Sequence, residues 1–240
     1  MKSLYCRDVQ NVARFTQGVN VLRNRGAAEA SWMLVEGPPG LGKTNTLEWF
    51  SVQEDAPLVR CKAGWTVPWC LRDIAVSLDL EPKASAKKNF DLIVGELVNR
   101  NTTLIVDEVN HAAKTLKVLE TLRDLTDMTQ TVLIIGGHSG TSSALKAHKQ
   151  IYDRISHIVE FAVATEKDVR HLCDALCEIK VDDDAVREIL RQSGGVHRNI
   201  LNAIAHVEAI GKRAKVEQVG MDTIGKQRLT NDGRARGMAR

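Results

Sequence analysis

Aromatic side chains are scarce, at 4% of 240 residues, and there are only five prolines and two tyrosines. A core built from this chain must therefore be aliphatic. No apolar run is long enough to cross a bilayer and no secretory leader is visible, so a cytoplasmic protein is expected. Cysteine is limited to Cys6, Cys61, Cys70, Cys173 and Cys177, an odd number with no C-x-x-C pair. That pattern fits reduced intracellular thiols. A zinc site at Cys173 and Cys177, one helical turn apart with His171 close by, lacks a second ligand pair at metal spacing. Neither sign of charge dominates: 33 Lys and Arg against 30 Asp and Glu leave a net +3. Such a balance permits nucleic-acid binding without requiring it. An Asn-Lys-x-Asp guanine signature is missing, which argues against a GTPase, and no second substrate pocket suggests a small-molecule kinase.

What is present begins with Gly37-Pro38-Pro39-Gly40-Leu41-Gly42-Lys43-Thr44, a complete G-x-x-x-x-G-K-[ST] loop. The apolar stretch Trp32-Met33-Leu34-Val35 reads as a strand before it, and Asn45 to Phe50 reads as a helix after it. Glycines let backbone N–H groups close around a phosphate, and the helix N-terminus adds partial positive charge. The motif assigns Lys43 to the β/γ-phosphates and the Thr44 hydroxyl to Mg²⁺. Residues 37–45 are thus the expected nucleoside-triphosphate site.

Hydrophobic periodicity predicts a first helix from about Val9 to Arg25, with Val12, Phe15, Val19 and Leu22 on one face. Strands are expected at 32–35, 57–61, 103–106, 131–135 and 157–161. Helices are expected near 69–78, 89–98 and 114–125. Five strands alternating with helices imply an α/β fold with a parallel sheet covered on both faces. After Ala164 the pattern turns helical only: Thr165 caps a helix over 166–177, Asp182 caps one through Gln192, and Gly194-Gly195 stops it before a helix over 196–211. The expected organisation is a nucleotide core at 1–164 with its amino-terminal helix, a small all-α lid at 165–226, and a basic tail at 227–240. That tail carries Arg228, Arg234, Arg236 and Arg240 against Asp232 alone, and is either a solubilising end or an arm for phosphates.

The strand Thr103-Leu104-Ile105-Val106 ends in Asp107-Glu108, and acids at the carboxyl end of a buried parallel strand face the ligand crevice. Asp107 is the expected Mg²⁺ residue and Glu108 the expected base that polarises the attacking water. The strand at 131–135 runs into Gly136-Gly137-His138-Ser139, where His138 or Ser139 could sense the γ-phosphate, unless this is an ordinary glycine turn. Arg154, just before the last strand, is either a surface ion pair with Asp153 or Glu160, or an arginine that reaches a neighbouring subunit's γ-phosphate. Arg198, in Gly195-Val196-His197-Arg198, is either a solvated helix residue or a cation brought to the triphosphate by the lid.

In this order these parts resemble the AAA+ ATPases. The segments 34–44, 106–111, 134–138, 152–156 and 195–202 more closely resemble the target-capture ATPases (the B proteins) of Mu-type transposing phages and the helper ATPases of bacterial transposons. The resemblance runs from about Ser31 to Lys226. It implies a P-loop AAA+ core with a five-stranded sheet, ATP and Mg²⁺ as cofactors, and slow hydrolysis stimulated by partners. It also implies assembly into a filament or ring on double-stranded DNA without sequence preference, and recruitment of a transposase. Lys43, Thr44, Asp107, Glu108, Arg154 and Arg198 match the pattern position by position. Gly137 departs from it, since a polar sensor usually stands there, which leaves His138. The roughly thirty residues before the phosphate loop are too few for the helix-turn-helix domain of the phage proteins. DNA contact must then come from the core, through loops offering Lys62, Arg72, Lys114 and Lys117, with Lys83, Lys87 and Lys88 near. Each of these is also an ordinary solvated lysine or arginine. Trp65 and Trp69 are read as packing residues rather than DNA contacts. A replication-type loader acting on a protein partner, or a switch that binds ATP without hydrolysing it, would use the same motifs.

Overall fold

Every residue of the strand Trp32–Glu36 is buried, which requires a partner on each edge and cover on each face. The computed structural model supplies both, and describes residues 1–2, 4–114 and 116–230, with backbone only at Ala113 and Lys114. In chain order the elements are α1 (Gln10–Arg23), β1 (Trp32–Glu36), α2 (Lys43–Glu54), β2 (Leu58–Arg60), α3 (Val67–Ser77), α4 (Ala86–Arg100) and β3 (Leu104–Asp107). A 3-10 helix over Val109–Lys114 leads to α5 (Leu116–Thr129), β4 (Leu133–Gly136), α6 (Thr141–Lys146), α7 (Lys149–Tyr152) and β5 (Ile155–Glu160). The remaining elements are α8 (Glu166–Leu176), β6 (Lys180–Val181), α9 (Asp183–Ser193), α10 (His197–Ala214), β7 (Gln218–Val219) and α11 (Met221–Ile224).

The five long strands form one parallel sheet in the order β2-β3-β4-β1-β5. This is the P-loop AAA+ fold expected from the sequence. Several helical boundaries differ from expectation. The helix expected over 114–125 starts later and runs to Thr129, because a 3-10 helix absorbs the residues after Glu108. The short helices α6 and α7 fall between the fourth and fifth strands, where no element was expected. The C-terminal part is helical as expected, with the addition of a two-residue parallel pair, β6 with β7.

The chain divides into two compact units. One comprises Arg14–Pro38 and Lys43–Phe161. Its core is aliphatic, with Leu34, Ile74, Leu104, Val106, Leu122, Leu133 and Ile135 buried, and Trp32 the largest side chain among them. Trp32 keeps its polar edge satisfied by donating Nε1–H to Thr126 Oγ1 at 3.0 Å. The other unit comprises the described residues of Met1–Ala13, Pro39–Gly42 and Ala162–Arg240. It packs Val169, Leu172, Val186, Ile189, Ile200, Ile204 and Val207 into a separate core. Thr165 opens α8 with a capping box, its hydroxyl taking the Asp168 N–H while Asp168 accepts the Thr165 N–H. Leu229 and Thr230 are buried in this unit, and Leu229 N–H donates to Gln192 Oε1 at 2.8 Å. Residues 231–240 of the expected basic tail lie outside the described residues.

Cys173 and Cys177 are both buried. Burial pushes the Cys173 thiol up to about 12 and Cys177 upward as well. Among the described residues no three or more His, Cys, Asp or Glu side chains come together in a group that could hold a metal, and no helix is long and apolar enough to cross a membrane.

Gly18 marks where α1 meets the sheet. A Cβ there would fall 2.5 Å from Val159 Cγ2 and 2.8 Å from Met33 Sδ. Gly18→Ala should therefore cost about 1–3 kcal/mol of stability despite its better helix propensity. Urea unfolding checks this, and an unchanged or higher midpoint would mean α1 has room to withdraw.

Candidate active site

Parallel strands place their carboxyl ends on one edge, and here that edge gathers the acidic and phosphate-loop residues. Gly37 is buried with φ +153°, and a Cβ on it would meet Phe161 O at 2.7 Å, so only glycine fits. Lys43, 9% exposed, donates its ammonium to Gly37 O at 2.7 Å and to Pro38 O at 2.8 Å. Burial lowers the Lys43 pKa, while the Asp107 and Glu108 carboxylates pull it back up. Thr44 and Asp107, 63 residues apart in sequence, meet at 2.7 Å between Oγ1 and Oδ2. Asp107 is 2% exposed, and its Oδ1 accepts the Glu108 N–H at 2.8 Å.

Glu108 itself sits in the left-handed region at φ +58°. That costs roughly 1–2 kcal/mol for a residue with a Cβ. The turn projects Glu108 toward His138, whose Nε2 lies 3.2 Å from Glu108 Oε2. The absence of a polar residue at Gly137 now has a steric reason: a Cβ there would stand 2.5 Å from Thr141 Oγ1. Gly136 is equally constrained, with Asp107 Oδ1 at 2.5 Å from its would-be Cβ. Ser139 is exposed.

In the helical unit, Pro39–Gly42 contact the start of α10. The Arg198 N–H donates to Gly40 O at 3.0 Å. Val196 Cγ1 lies 3.0 Å from a Cβ built on Gly40 (φ +82°), and His197 Cδ2 lies 3.2 Å from one on Gly42 (φ +89°). Leu41 is buried, whereas Pro38, Pro39, Asn45 and the Arg198 residue are not.

Other expected residues fall elsewhere. Arg154 pairs with neither Asp153 nor Glu160. It forks onto Asp127, with Nε to Oδ1 at 2.9 Å and Nη2 to Oδ2 at 2.8 Å. Lys62 donates to Asp73 Oδ2 at 2.7 Å and lies over the Trp69 ring at 5.1 Å. Trp65 packs as expected, 3% exposed with Nε1–H to Asp73 Oδ2 at 2.8 Å. Trp69 does not pack inward and is 41% exposed. It shares the outer stripe of α3 with Arg72 and Val76, while Cys70, Leu71, Ile74 and Ala75 take the core face. Arg72 and Lys117 are exposed, as are Lys83, Lys87 and Lys88. Lys83 pairs with Glu81 and Lys87 with Asp91. The Lys114 side chain lies outside the described residues.

Sequence reading missed three residues here. Glu36 is 6% exposed and accepts from Ser142 N–H at 2.9 Å and Ser142 Oγ at 2.7 Å. Arg60 ends β2 with Nε 3.9 Å from Asp107 Oδ2. His197 stands on the phosphate loop. The first two announce themselves as charges closing short apolar strands; His197 had only its place beside Arg198.

A family model described as an AAA domain matches residues 27–145. Residues 27–145 are an AAA domain. The AAA domain and the helices that follow it have a fold similar to that of Cdc6p from Pyrobaculum aerophilum, with a TM-score of 0.68 and 15% identity over 93% of this chain and 68% of that one. The Thermotoga maritima RuvB Holliday junction branch migration motor gives 0.63 and 17%, over 90% and 67%. The Aeropyrum pernix ORC1 protein, solved in complex with DNA, gives 0.61 and 16%, over 93% and 65%. No curated protein sequence matches the chain.

Burial lowers the His197 pKa from 6.5. The unfolded chain then takes up a proton near pH 6.5 that the folded chain refuses until lower pH. This contribution is complete above that value and is lost as pH falls through it. His197→Gln should shrink the fall in urea midpoint between pH 7.5 and 5.5, and an identical fall in both proteins would disprove the linkage.

Proposed function

We propose that this AAA-domain protein is an ATPase that assembles on double-stranded DNA without sequence preference and presents that DNA to a transposase. The observation that carries the ATPase reading is the meeting of Thr44, Asp107, Glu108 and His138 beside a phosphate loop whose lysine is already buried. The donor set suits the cofactors: hard hydroxyl and carboxylate oxygens for Mg²⁺, and glycine-opened N–H groups with Lys43 for phosphates. Thr44 and Asp107 would hold Mg²⁺, which would supply neutralisation of the triphosphate's charge.

The residues of the chain divide the remaining work. Residues 37–45 cradle the triphosphate, and Lys43 exchanges its two carbonyl partners for phosphate oxygens. Glu108 accepts the proton of a water attacking the γ-phosphorus as the bond to the β-bridging oxygen breaks, giving ADP and phosphate. His138 orients Glu108 and senses the γ-phosphate. Arg154 acts on a neighbouring subunit's ATP, where such arginines are worth about 10³–10⁵ in rate. Arg198 answers to nucleotide from beside Gly40. Residues 1–164 form the core in this reading, 165–226 the lid and 227–240 a basic tail.

The transposition role rests on the five sequence segments that resemble target-capture ATPases. For DNA, Lys62, Arg72, Lys114 and Lys117 are the proposed phosphate contacts. A second reading is a replication-type loader that acts on a protein partner and would use the same motifs. The two separate in one experiment: with ATP and plasmid DNA alone, a target-capture protein coats the DNA into filaments or rings seen by negative-stain microscopy, and a loader does not. Adding a candidate transposase should then raise ATP turnover.

Two variants test the assignments. Glu108→Gln should keep ATP binding and lower phosphate release by about 10²–10⁴-fold, and unchanged turnover would remove Glu108 from its role. Lys62→Ala should reduce the slope of log affinity for DNA against log salt by about one. An unchanged slope would mean that Asp73 keeps Lys62 from phosphate.

A further inference from the structure

Arg154 is expected to act outside its own subunit, yet its guanidinium is engaged inside it through Nε and Nη2. Both ends of the fork are used, at 2.9 and 2.8 Å, on the two oxygens of Asp127. The side chains are 24% and 32% exposed, so solvent screens the pair only in part. The hydrogen bonds to Asp127 raise the Arg154 pKa, helped by Asp127, Glu29 and Asp153 charges. The backbone is fixed as well, with the Arg154 carbonyl accepting from Trp32 N–H at 2.8 Å. Only the side chain is free to change partners.

A guanidinium fork fits two oxygens of a carboxylate and two of a phosphate with the same geometry. Asp127 lies in the last turn of α5, where the helix dipole already disfavours a negative charge. Removing its cation would therefore be costly unless another stood near. Arg123, one turn earlier, has Nε 4.0 Å from Asp127 Oδ2 while its Nη2 bonds Asp124 at 2.7 Å.

We propose that Asp127 is a parking site: it holds the Arg154 fork in the unassembled subunit until the γ-phosphate of a neighbour's ATP takes the same N–H groups, and Arg123 then compensates Asp127. The proposal rests on the reading of Arg154 as acting in trans. Asp127 thereby sets a threshold for assembly rather than the chemistry itself.

Sedimentation velocity of the full chain, titrated in Mg²⁺ with either ADP or a non-hydrolysable ATP analogue, reads this threshold. With the triphosphate analogue, Asp127→Asn should lower the protein concentration at half-assembly about fivefold, and with ADP it should change nothing. Arg123→Ala should move the midpoint the opposite way, since Asp127 then has no second cation. Arg154→Ala should erase the difference between the two nucleotides. A midpoint for Asp127→Asn that is unchanged or raised, while Arg154→Ala still erases the difference, overturns the parking site and leaves the trans role standing. If Arg154→Ala assembles like the unaltered protein, the trans role fails and the parking site with it. Should Asp127→Asn not fold, Arg123→Ala decides alone, and an unmoved midpoint overturns the proposal.

Discussion

The hydrogen bond between Thr44 and Asp107 is the constraint around which the candidate site is arranged. It joins the first turn of α2 to the last residue of β3, two points that only a parallel sheet brings to the same edge. Strand β4 lies between β1 and β3, so its own end must leave space for that bond. It does so with Gly136, where any Cβ would collide with the Asp107 carboxylate. Gly137 then yields to Thr141, and the first side chain able to project from this strand end is His138. Asp107 thus accounts for Gly136 and Thr141 for Gly137, and together they leave His138 as the first side chain at this strand end.

The electrostatics follow from the same crowding. Lys43 and Asp107 are both buried within the phosphate-loop edge, and an isolated buried charge of either kind would be costly. Lys43 is relieved by two carbonyls, Asp107 by a hydroxyl and by the N–H of the next residue. The second of these bonds accompanies a left-handed Glu108, which gives the carboxylate a direction no extended strand residue would have. Strain at that one residue is what sets a second acid beside a first without both pointing into the same space.

Much of this was legible in the sequence because its parts are local. The loop 37–44, the apolar run into Asp107-Glu108 and the strand into Gly136-Gly137-His138 each carry their meaning within a few residues, and strand–helix alternation fixes a parallel sheet. The contacts that were not legible join distant segments. Nothing near Arg154 names Asp127 as its partner, since the two are brought together by the return of the chain from α5 to β5. Trp69 misled for a different reason: an aromatic in a helix suggests burial, but its register on α3 puts it with Arg72 and Val76. The 3-10 helix after Glu108 was hidden because a positive φ in a glutamate has no compositional mark.

Glu36 closes β1 one residue before the phosphate loop and grips Ser142 by backbone and side chain. Its carboxylate is thus a strut between the strand that launches Gly37 and the short helix that follows His138. The strand end that leads into Gly37 and the helix that follows His138 are tied to each other through this one buried carboxylate. In the proposed reading, a shift of the γ-phosphate would meet an imidazole whose following helix is tied to the strand before the phosphate loop, and would be passed on as a change in the Glu108–His138 contact.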